Sequence, residues 1–389
     1  MLKAFKYRLM PTATQAELIN KHIGCTRFVY NLALETKQMA YIGNKVHLNC
    51  FDLTKQLPSL KEECRWLRDV NAQSLQAAIV NLDNSFTRFF KGQSNFPKFK
   101  SKNKCRHSFS IPQRVVLKNN KLVIPKFTEG IKIVLHRPVK GKIKQATMSK
   151  TPTGKYFVSI LCDTGEKYNP KPKVTEENTV GVDLGIKDFA ITSEGEVFEN
   201  PKYLRKAQSR LKYIQRKYSK NKGKRTKHKL AKAHEKVANQ RKDFLHKASS
   251  ELIKNHDSIA LETLNVSGML KNHCLAQSIS DVSWSAFVSM LEYKADWYGK
   301  TILRIGQFEP SSKVCSNCGS INKELTLKDR SWTCPKCGSV LDRDMNAACN
   351  IKSFALKNIL SGTDRKNQDE LPSLGGVLTP EAHRFKISG

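Results

Sequence analysis

The chain has 389 residues, of which 39% are hydrophobic and 26% are charged, and this apolar content excludes a chain that is disordered throughout. No stretch approaches the roughly 18 consecutive apolar residues of a membrane span, and the first ten residues lack the apolar core of a signal peptide. Lys and Arg total 68 against 34 Asp and Glu, and this charge of +34, spread along most of the chain, favours nucleic acid over an anionic membrane surface as the partner.

The N-terminal half changes from a strand pattern to a helical pattern and then back to strands. Residues 3–9 alternate between basic and apolar side chains, which predicts a strand, and residues 11 to about 92 show the spacing of helices. From about residue 108, short apolar runs are separated by Gly and Pro, which is typical of a small β-barrel. We therefore predict a β-barrel formed by residues 1–10 and 107–170, with residues 11–106 inserted as a helical domain.

The C-terminal half alternates apolar strands with helical patterns. Three apolar runs predict buried strands, at residues 179–186, 258–262 and 301–305. A long helical stretch covers about 201–256, and the alternation is typical of an α/β domain, which we place at residues 179–360. The final segment, residues 361–389, has little apolar content and is predicted to be a flexible tail.

Three carboxylates lie where a charged side chain is locally unfavourable. Asp183 is inside one apolar run, Glu262 ends another, and Asp344 precedes a predicted helix. Converging acids repel each other unless a divalent cation joins them, and two Mg²⁺ ions could then clamp a phosphodiester group. Local alternatives stay open: a strand-end turn for Asp183, a surface or helix-start position for Glu262, and an N-cap for Asp342 or Asp344.

Four of the eleven cysteines form two Cys-x-x-Cys pairs with 15 residues between them. Each pair is followed by Gly, which relieves the tight turn after the second sulfur. This spacing predicts one structural Zn²⁺ and disfavours a redox pair or a disulfide framework. The predicted ligands are Cys315, Cys318, Cys334 and Cys337.

Basic residues concentrate in two segments. Between Lys202 and Lys242 there are 17 Lys or Arg and one acid, Glu235, with tyrosines interspersed. Residues 96–107 form a second basic segment that contains phenylalanines. A solvated helical face would explain single residues, but the whole of the first segment predicts a surface that contacts phosphates.

Taken together, these motifs resemble the transposon-encoded TnpB family. The matching segments are residues 6–12 (KYRLMPT), 25–31 (CTRFVYN), 95–100 (NFPKFK), 181–190 (GVDLGIKDFA), 278–281 (SISD), 310–319 (PSSKVCSNCG) and 342–348 (DRDMNAA), together with Glu262. The resemblance covers nearly all of the chain up to about residue 360.

The resemblance implies an RNA-guided DNA endonuclease that is related to the type V CRISPR effectors. It implies an RNase H-like (RuvC) nuclease domain with a zinc-ribbon insertion at residues 311–341, and a wedge β-barrel that carries an inserted helical recognition domain. A guide RNA from the transposon end would direct cleavage of double-stranded DNA beside a short target-adjacent motif. The expected protein is a monomer in the bacterial or archaeal cytoplasm, near the nucleoid, without a membrane partner.

The resemblance also assigns roles residue by residue. Asp183, Glu262 and Asp344 match the catalytic, Mg²⁺-binding acids, and the position of Asn346 favours Asp344 over Asp342. The four paired cysteines match the zinc ligands. Two further residues are Arg330, which would contact the scissile phosphate, and Gln76, which would read the target-adjacent motif. Ala72 replaces an expected basic residue, which leaves the sequence of that motif open.

Two alternative functions share these features. A DNA-binding transposase that joins strands would use the same acids. A guided repressor would bind its target without cutting it, although such relatives have lost the acids that this chain keeps.

Overall fold

The computed structural model describes residues 1–103, 105–326 and 328–361. The chain divides into two compact units, Met1–Glu166 and Lys167–Gly389. The predicted tail lies outside the described residues from position 362 onwards. Among the described helices, none combines the length and the apolar character that a membrane crossing requires.

The first unit contains a seven-stranded antiparallel sheet with the order β2-β6-β7-β1-β5-β4-β3. Its strands are β1 (Leu2–Met10), β2 (His107–Ile111), β3 (Val116–Lys118), β4 (Lys121–Ile124), β5 (Phe127–Val134), β6 (Lys142–Lys150) and β7 (Tyr156–Asp163). The N-terminal strand lies in the middle of the sheet, because its alternating side chains Phe5, Tyr7 and Leu9 are buried in the core. In the described residues β2 and β3 are not paired with each other, so closure into a barrel stays a prediction.

Helices occupy the chain between the first two strands of this sheet. They are α1 (Ala13–Asn44), α2 (Cys50–Lys55), α3 (Leu57–Glu63) and α4 (Ala72–Phe90), with a 3-10 turn at Arg65–Asp69. Thr12 and Gln15 form a capping box that starts α1. The apolar residues of α4 recur every three or four positions, and this face packs against α1 in a core of its own.

The second unit is built on a five-stranded mixed sheet with the order β10-β9-β8-β11-β12. Its strands are β8 (Thr179–Leu184), β9 (Asp188–Thr192), β10 (Val197–Glu199), β11 (Ser258–Glu262) and β12 (Thr301–Ile305). β8, β11 and β12 are parallel, whereas β9 and β10 follow β8 as an antiparallel meander. The predicted α/β arrangement is therefore present in the C-terminal half.

Helices cover both faces of this sheet. They are α5 (Tyr203–Lys220), α6 (Lys224–Asn255), α7 (Val266–Met269), α8 (Ala276–Val282), α9 (Trp284–Tyr298) and α10 (Arg343–Leu360). The helical stretch predicted at about 201–256 is two helices, because residues 221–223 between them are not helical and Asn221 and Gly223 have extended backbone conformations. A two-stranded hairpin of β13 (Ser331–Thr333) and β14 (Val340–Asp342) precedes α10.

The close packing of α10 on β8 depends on Gly181. A β-carbon at this position would lie 2.0 Å from the carbonyl oxygen of Ala348, a residue of α10. The Ile351 and Ala355 side chains of the same helix are buried in a core with Leu303 of β12. The glycine that precedes Asp183 by two positions therefore lets the helix that carries Asp344 lie directly on the central strand.

Candidate functional site

The parallel strands bring two of the predicted acids to one edge of the mixed sheet. Leu261 of β11 pairs with Val182 of β8, so Asp183 and Glu262 occupy the next position of each strand. Both residues are near the carboxyl ends of their strands, where α/β sheets commonly carry their sites. The packing of α10 on β8 brings its first turn, which contains Asp344, towards the same edge.

The electrostatics of Asp183 show that the three acids are close to one another. Burial, together with the negative charges of Glu262 and Asp344, raises the pKa of Asp183 from 3.8 to about 7. The charge of Arg343 opposes this shift. A carboxyl group with this pKa is half protonated near neutral pH, and a bound cation would favour its ionised form.

Asp344 is held by two arginines. The Nη1 of Arg330 donates to Asp344 Oδ2 at 2.9 Å. Arg343 donates to Asp344 Oδ1 from Nε at 3.0 Å and from Nη2 at 2.8 Å. The structure thus brings Arg330 to one of the predicted acids, and it adds Arg343, which the sequence analysis missed although it is adjacent to Asp344.

The two aspartates before α10 have different surroundings. The Oδ1 of Asp342 accepts hydrogen bonds from the backbone N–H groups of Asp344 at 3.0 Å and Met345 at 2.9 Å. Asp342 is therefore the N-cap of α10, and the carboxylate of Asp344 is left to its arginine partners.

Glu262 has a hydroxyl partner that the sequence analysis also missed. Ser311 Oγ donates to Glu262 Oε1. The backbone oxygen of Ser311 accepts a 2.7 Å hydrogen bond from Nδ2 of Asn350 on α10. The position of Ser311 in the matched PSSK segment was the one available signal, and it did not indicate a contact with Glu262.

The carboxylates do not yet form a closed ligand set. In residues 1–103, 105–326 and 328–361, one group of three or more His, Cys, Asp or Glu residues has ligand atoms that all lie within 4.8 Å of one another, and it consists of the four paired cysteines. The three carboxylates do not meet this criterion. Asp183, Glu262 and Asp344 interact electrostatically, but hydrogen bonds direct Glu262 to Ser311 and Asp344 to arginines. Their donor chemistry suits a hard divalent cation, which carboxylate oxygens bind preferentially.

The cysteine cluster fits a tetrahedral metal site. Cys315 Sγ lies 3.7 Å from Cys337 Sγ, and Cys318 Sγ lies 3.6 Å from Cys334 Sγ. These separations are close to the roughly 3.8 Å between sulfurs around a tetrahedral Zn²⁺ with Zn–S bonds of about 2.3 Å. Hydrogen bonds, of which that from Ser320 contributes most, lower the pKa of the Cys334 thiol to about 6 and favour the thiolate that binds zinc, whereas burial raises the pKa of the Cys315 thiol to about 11.

The glycines after each cysteine pair have the backbone conformation that the motif requires. Gly319 and Gly338 have φ angles of 73° and 71°, and their N–H groups donate to the carbonyl oxygens of Cys315 and Cys334 at 2.8 and 2.9 Å. Side chains with a β-carbon rarely adopt this conformation. The two turns are therefore matched knuckles that aim sulfur atoms at a common centre.

The remaining predicted site residue lies in the other unit. Gln76 is exposed on α4, one turn after the exposed Ala72. Gln73, on the same helix, donates from Nε2 to Gln113 Oε1 at 3.1 Å. Because its side chain is exposed, Gln76 is available to a ligand in its own unit.

The basic helices α5 and α6 form a hairpin with a groove of about 980 Å³ between them. Apolar side chains, including Leu211 and Val237, form its floor. Asp281 anchors the hairpin: it accepts from the backbone N–H of Leu204 and pairs with Arg241 at 2.8 Å. The exposed basic rim includes Lys206, Arg210, Lys229, Lys232 and Lys236.

Comparison with known proteins identifies the family. Residues 159–273 match the OrfB_IS605 family, described as "Probable transposase", residues 284–351 match the Cas12f1-like TNB domain, and residues 1–45 match a helix-turn-helix domain. A Streptomyces pristinaespiralis protein named "Putative RNA-guided DNA endonuclease" is 37% identical over 383 residues, 96% of this chain and 94% of the relative. The mimivirus TnpB-like protein L79 is 26% identical over 90% of this chain and 73% of the relative.

The chain belongs to the TnpB family. A solved Cas12f1–sgRNA–target DNA complex is also similar, with 15% identity, a TM-score of 0.37, and coverage of 90% of this chain and 99% of the Cas12f1 chain. In this TnpB-family chain, the TNB match encloses the four paired cysteines and Asp344. The predicted family membership is thus confirmed.

Proposed function

We propose that the chain is an RNA-guided, Mg²⁺-dependent endonuclease that cleaves double-stranded DNA next to a short target-adjacent motif. The observation that carries the proposal is the convergence of Asp183, Glu262 and Asp344 at one sheet edge, where burial and mutual repulsion raise the pKa of Asp183 to about 7. A protein of charge +34 that brings three acids within electrostatic range of one another favours a divalent cation between them. The whole-length relative named as an RNA-guided DNA endonuclease supports the same activity.

In this proposal, Asp183, Glu262 and Asp344 hold two Mg²⁺ ions. When bound there, such ions would supply a nucleophilic hydroxide at neutral pH and would stabilise the leaving 3′ oxygen. Ser311 orients the carboxylate of Glu262 through its hydrogen bond. Arg330, whose side chain is half exposed, contacts the scissile phosphate from its position beside Asp344.

The domain assignment follows from the same elements. We propose that residues 179–360 are an RNase H-like (RuvC) nuclease domain with a zinc ribbon inserted at residues 311–341. This assignment is supported by the mixed sheet with three parallel strands, by the matched TNB domain, and by the four cysteines that could bind one Zn²⁺. Residues 1–10 and 107–170 are assigned as a wedge β-barrel, supported by the central position of β1 in the antiparallel sheet.

The nucleic-acid partners are assigned to the two basic regions and to α4. The α5–α6 hairpin contacts the phosphates of the guide–target heteroduplex, because its lysines and arginines are exposed along a continuous groove. The exposed Gln76 on the helical recognition domain, residues 11–106, reads the target-adjacent motif. A guide RNA encoded at the transposon end supplies the sequence specificity.

The decisive experiment begins with the protein co-expressed with its native flanking DNA, followed by sequencing of the RNA that co-purifies. One discrete RNA is expected, with sequence from beyond the transposon boundary at its end. A smear of cellular RNA would reduce the binding to general polyanion affinity and contradict guided targeting.

Asp183→Ala should abolish cleavage of a duplex target that matches this RNA, while RNA binding is retained, because the substitution removes a metal ligand and leaves the basic helices intact. Asp243→Ala, which removes an exposed acid of α6, is the matched control and should cut normally. Gel analysis of end-labelled duplex checks the outcome. Normal cutting by Asp183→Ala would contradict the site assignment.

The family description as a transposase favours one second candidate, a strand-joining transposase. It predicts joined DNA products in the same assay, whereas hydrolysis yields free ends only. Target occupancy without any cut by the parent chain would instead identify a guided repressor.

A further inference from the structure

The segment after β12 lies at the sheet edge that carries the acids. Glu262, the last residue of β11, pairs with Ile305, the last residue of β12. Thr263 Oγ1 also donates to the carbonyl oxygen of Ile305 at 2.8 Å. The loop that begins at Gly306 therefore leaves the sheet directly beside Glu262, and it returns to Glu262 at Ser311.

This loop is held at several points. Glu309 Oε1 accepts hydrogen bonds from the backbone N–H of Gly306 and from Nδ2 of Asn358, both at 3.2 Å. The N–H of Ser311 donates to the carbonyl oxygen of Glu309 at 2.8 Å. Asn350 Nδ2 donates to the carbonyl oxygen of Ser311. Both ends of the loop are thus tied to α10 and to the acidic edge, so its middle has a defined position.

The middle of the loop presents an aromatic ring to solvent. Phe308 is 90% exposed, the largest exposed fraction among the large apolar side chains that the described residues leave open to solvent. Lys313, five positions later, is exposed on the same segment. Removal of an aromatic ring from water lowers the free energy, so an exposed ring on a loop whose ends are anchored at the acidic edge is suited to a ligand with a flat face.

We propose that Phe308 stacks on an unpaired nucleobase of the DNA strand that enters the acidic site, and so positions the adjacent phosphodiester for cleavage. This inference rests on the proposed nuclease function and adds a positioning residue to it. The occupant follows from the charge of +34, which attracts polyanions, and from the three acids, which mark where a phosphodiester would react. Every nucleobase has a face that can stack, so Phe308 contributes position without sequence preference.

The test uses the zinc-loaded full chain with its co-purified RNA and a single-stranded DNA oligonucleotide that carries 2-aminopurine. Stacking on Phe308 quenches the fluorescence of this base. Phe308→Ala should lose the quenching and weaken binding about 10-fold, equivalent to about 1.4 kcal/mol, whereas Phe308→Trp should restore both. Phe51→Ala removes a similarly exposed phenylalanine of α2, 74% exposed, and serves as the matched control with unchanged quenching.

Cleavage of the matched duplex supplies an independent measurement. Phe308→Ala should lower kcat/KM about 10-fold, and Phe308→Trp should recover it, because stacking positions the strand without taking part in the chemistry. Equal quenching and equal kcat/KM in the parent and Phe308→Ala would overturn the inference. A dimer of the parent that Phe308→Ala dissolves would also overturn it, because the ring would then pack on a second copy of the chain.

The same assay separates this inference from the proposed function. Asp183→Ala should bind and quench the oligonucleotide like the parent while failing to cut. Quenching that depends on Phe308, in a parent chain that cuts no DNA, would contradict the nuclease and keep the stacking site. A cutting parent with quenching independent of Phe308 would keep the nuclease and reject the stacking site.

Discussion

Lys294 is a buried lysine whose ammonium group donates hydrogen bonds to uncharged oxygen atoms. Its side chain lies on α9 and is 6% exposed. Its Nζ donates to the carbonyl oxygen of His246 at 2.8 Å and to the hydroxyls of Ser249 and Ser250 at 2.7 Å each, all on α6. Burial lowers the pKa of Lys294 from 10.5 to about 8. Lys294 therefore links α9 to α6, and its protonated form is less stable in the folded chain than in the unfolded chain.

This shift predicts a pH dependence of the unfolding free energy. Between pH 8 and 10.5 the unfolded chain binds more protons at Lys294 than the folded chain does, so its contribution to stability increases with pH and is constant below pH 8. The full change corresponds to about 3 kcal/mol. Lys294→Met should flatten this increase, as measured by denaturant unfolding at pH 7.5, 8.5 and 9.5.

Lys247→Met is the matched control, because Lys247 is an exposed lysine of α6 with a surface partner, Asp243. It should keep the parent's pH dependence. Parallel stability profiles for the parent and Lys294→Met would show that Lys294 does not titrate in this range.

The residues of the acidic site differ in how far their sequence context revealed them. Asp183 and Glu262 could be predicted because each interrupts or ends an apolar run, a property of neighbouring residues. Arg343 and Ser311 could not be assigned their contacts, because Arg and Ser are common at surfaces and their acid partners become visible only in the folded chain. In the sequence, Asp342 and Asp344 are both candidates for the cap of the predicted helix, and the hydrogen bonds of the structure assign the cap to Asp342 and place Asp344 in the first turn.

At the scale of elements, the zinc ribbon connects the metal site to the acids. Its hairpin strands have three residues each, and its small core contains Leu325 and Trp332. The backbone N–H of Arg343 donates to the carbonyl oxygen of Arg330 at 2.7 Å, next to the pairing of Ser331 with Asp342. The fold of the ribbon therefore sets the position of Arg330 beside Asp344.

Removal of a zinc ligand should affect both metal content and cleavage. Cys334→Ser should reduce bound zinc well below one ion per chain, because an element with so small a core relies on the metal for its folding. Cleavage should fall at least 10-fold as Arg330 loses its fixed position. Elemental analysis of the purified chain and the cleavage assay check this outcome.

Cys274→Ser, which removes an exposed thiol outside the cluster, should keep one zinc and normal cleavage. Full zinc occupancy in Cys334→Ser would mean that Cys334 is not a ligand.

At the scale of the whole molecule, charge is the dominant property. The net charge of +34 disfavours a compact chain through self-repulsion, and a bound polyanion such as the proposed nucleic acid would relieve this repulsion. Each unit has cores of its own, so each is stabilised by apolar burial while its surface stays basic. In the second unit, exposed basic residues line the groove of the α5–α6 hairpin.

Replacing Lys229, Lys232 and Lys236 together by Gln should weaken RNA binding and its salt dependence. Each phosphate contact contributes about 0.7 to 0.9 to the slope of log affinity against log salt concentration, so the slope should decrease in magnitude by about 2 to 3. Binding titrations of the zinc-loaded chain with a single-stranded RNA oligonucleotide, at several salt concentrations, measure it.

The corresponding triple Lys→Arg variant keeps the charge and should keep the slope. If the Gln variant shows the parent's slope, the groove does not contact phosphates.

The sequence by itself determined what depends on near neighbours. The cysteine knuckles and their glycines, the apolar strands that carry Asp183 and Glu262, and the basic composition are all readable from residues close together in the chain. Family membership followed from the combination of these motifs. The interruption of the long basic helix at residues 221–223 was missed, because its local signal is the single glycine Gly223, and one glycine lowers helix stability without necessarily ending a helix.

Only the tertiary structure decided which distant residues meet. The register that places Glu262 next to Asp183 depends on parallel strand pairing, and the approach of α10 depends on the missing side chain of Gly181. The pairing of Arg330 with Asp344, the contact of Ser311 with Glu262 and the exposure of Phe308 likewise become visible only in the folded chain. The physical reason is that a local pattern reports burial and backbone preference, whereas packing of separate elements sets the distances between them.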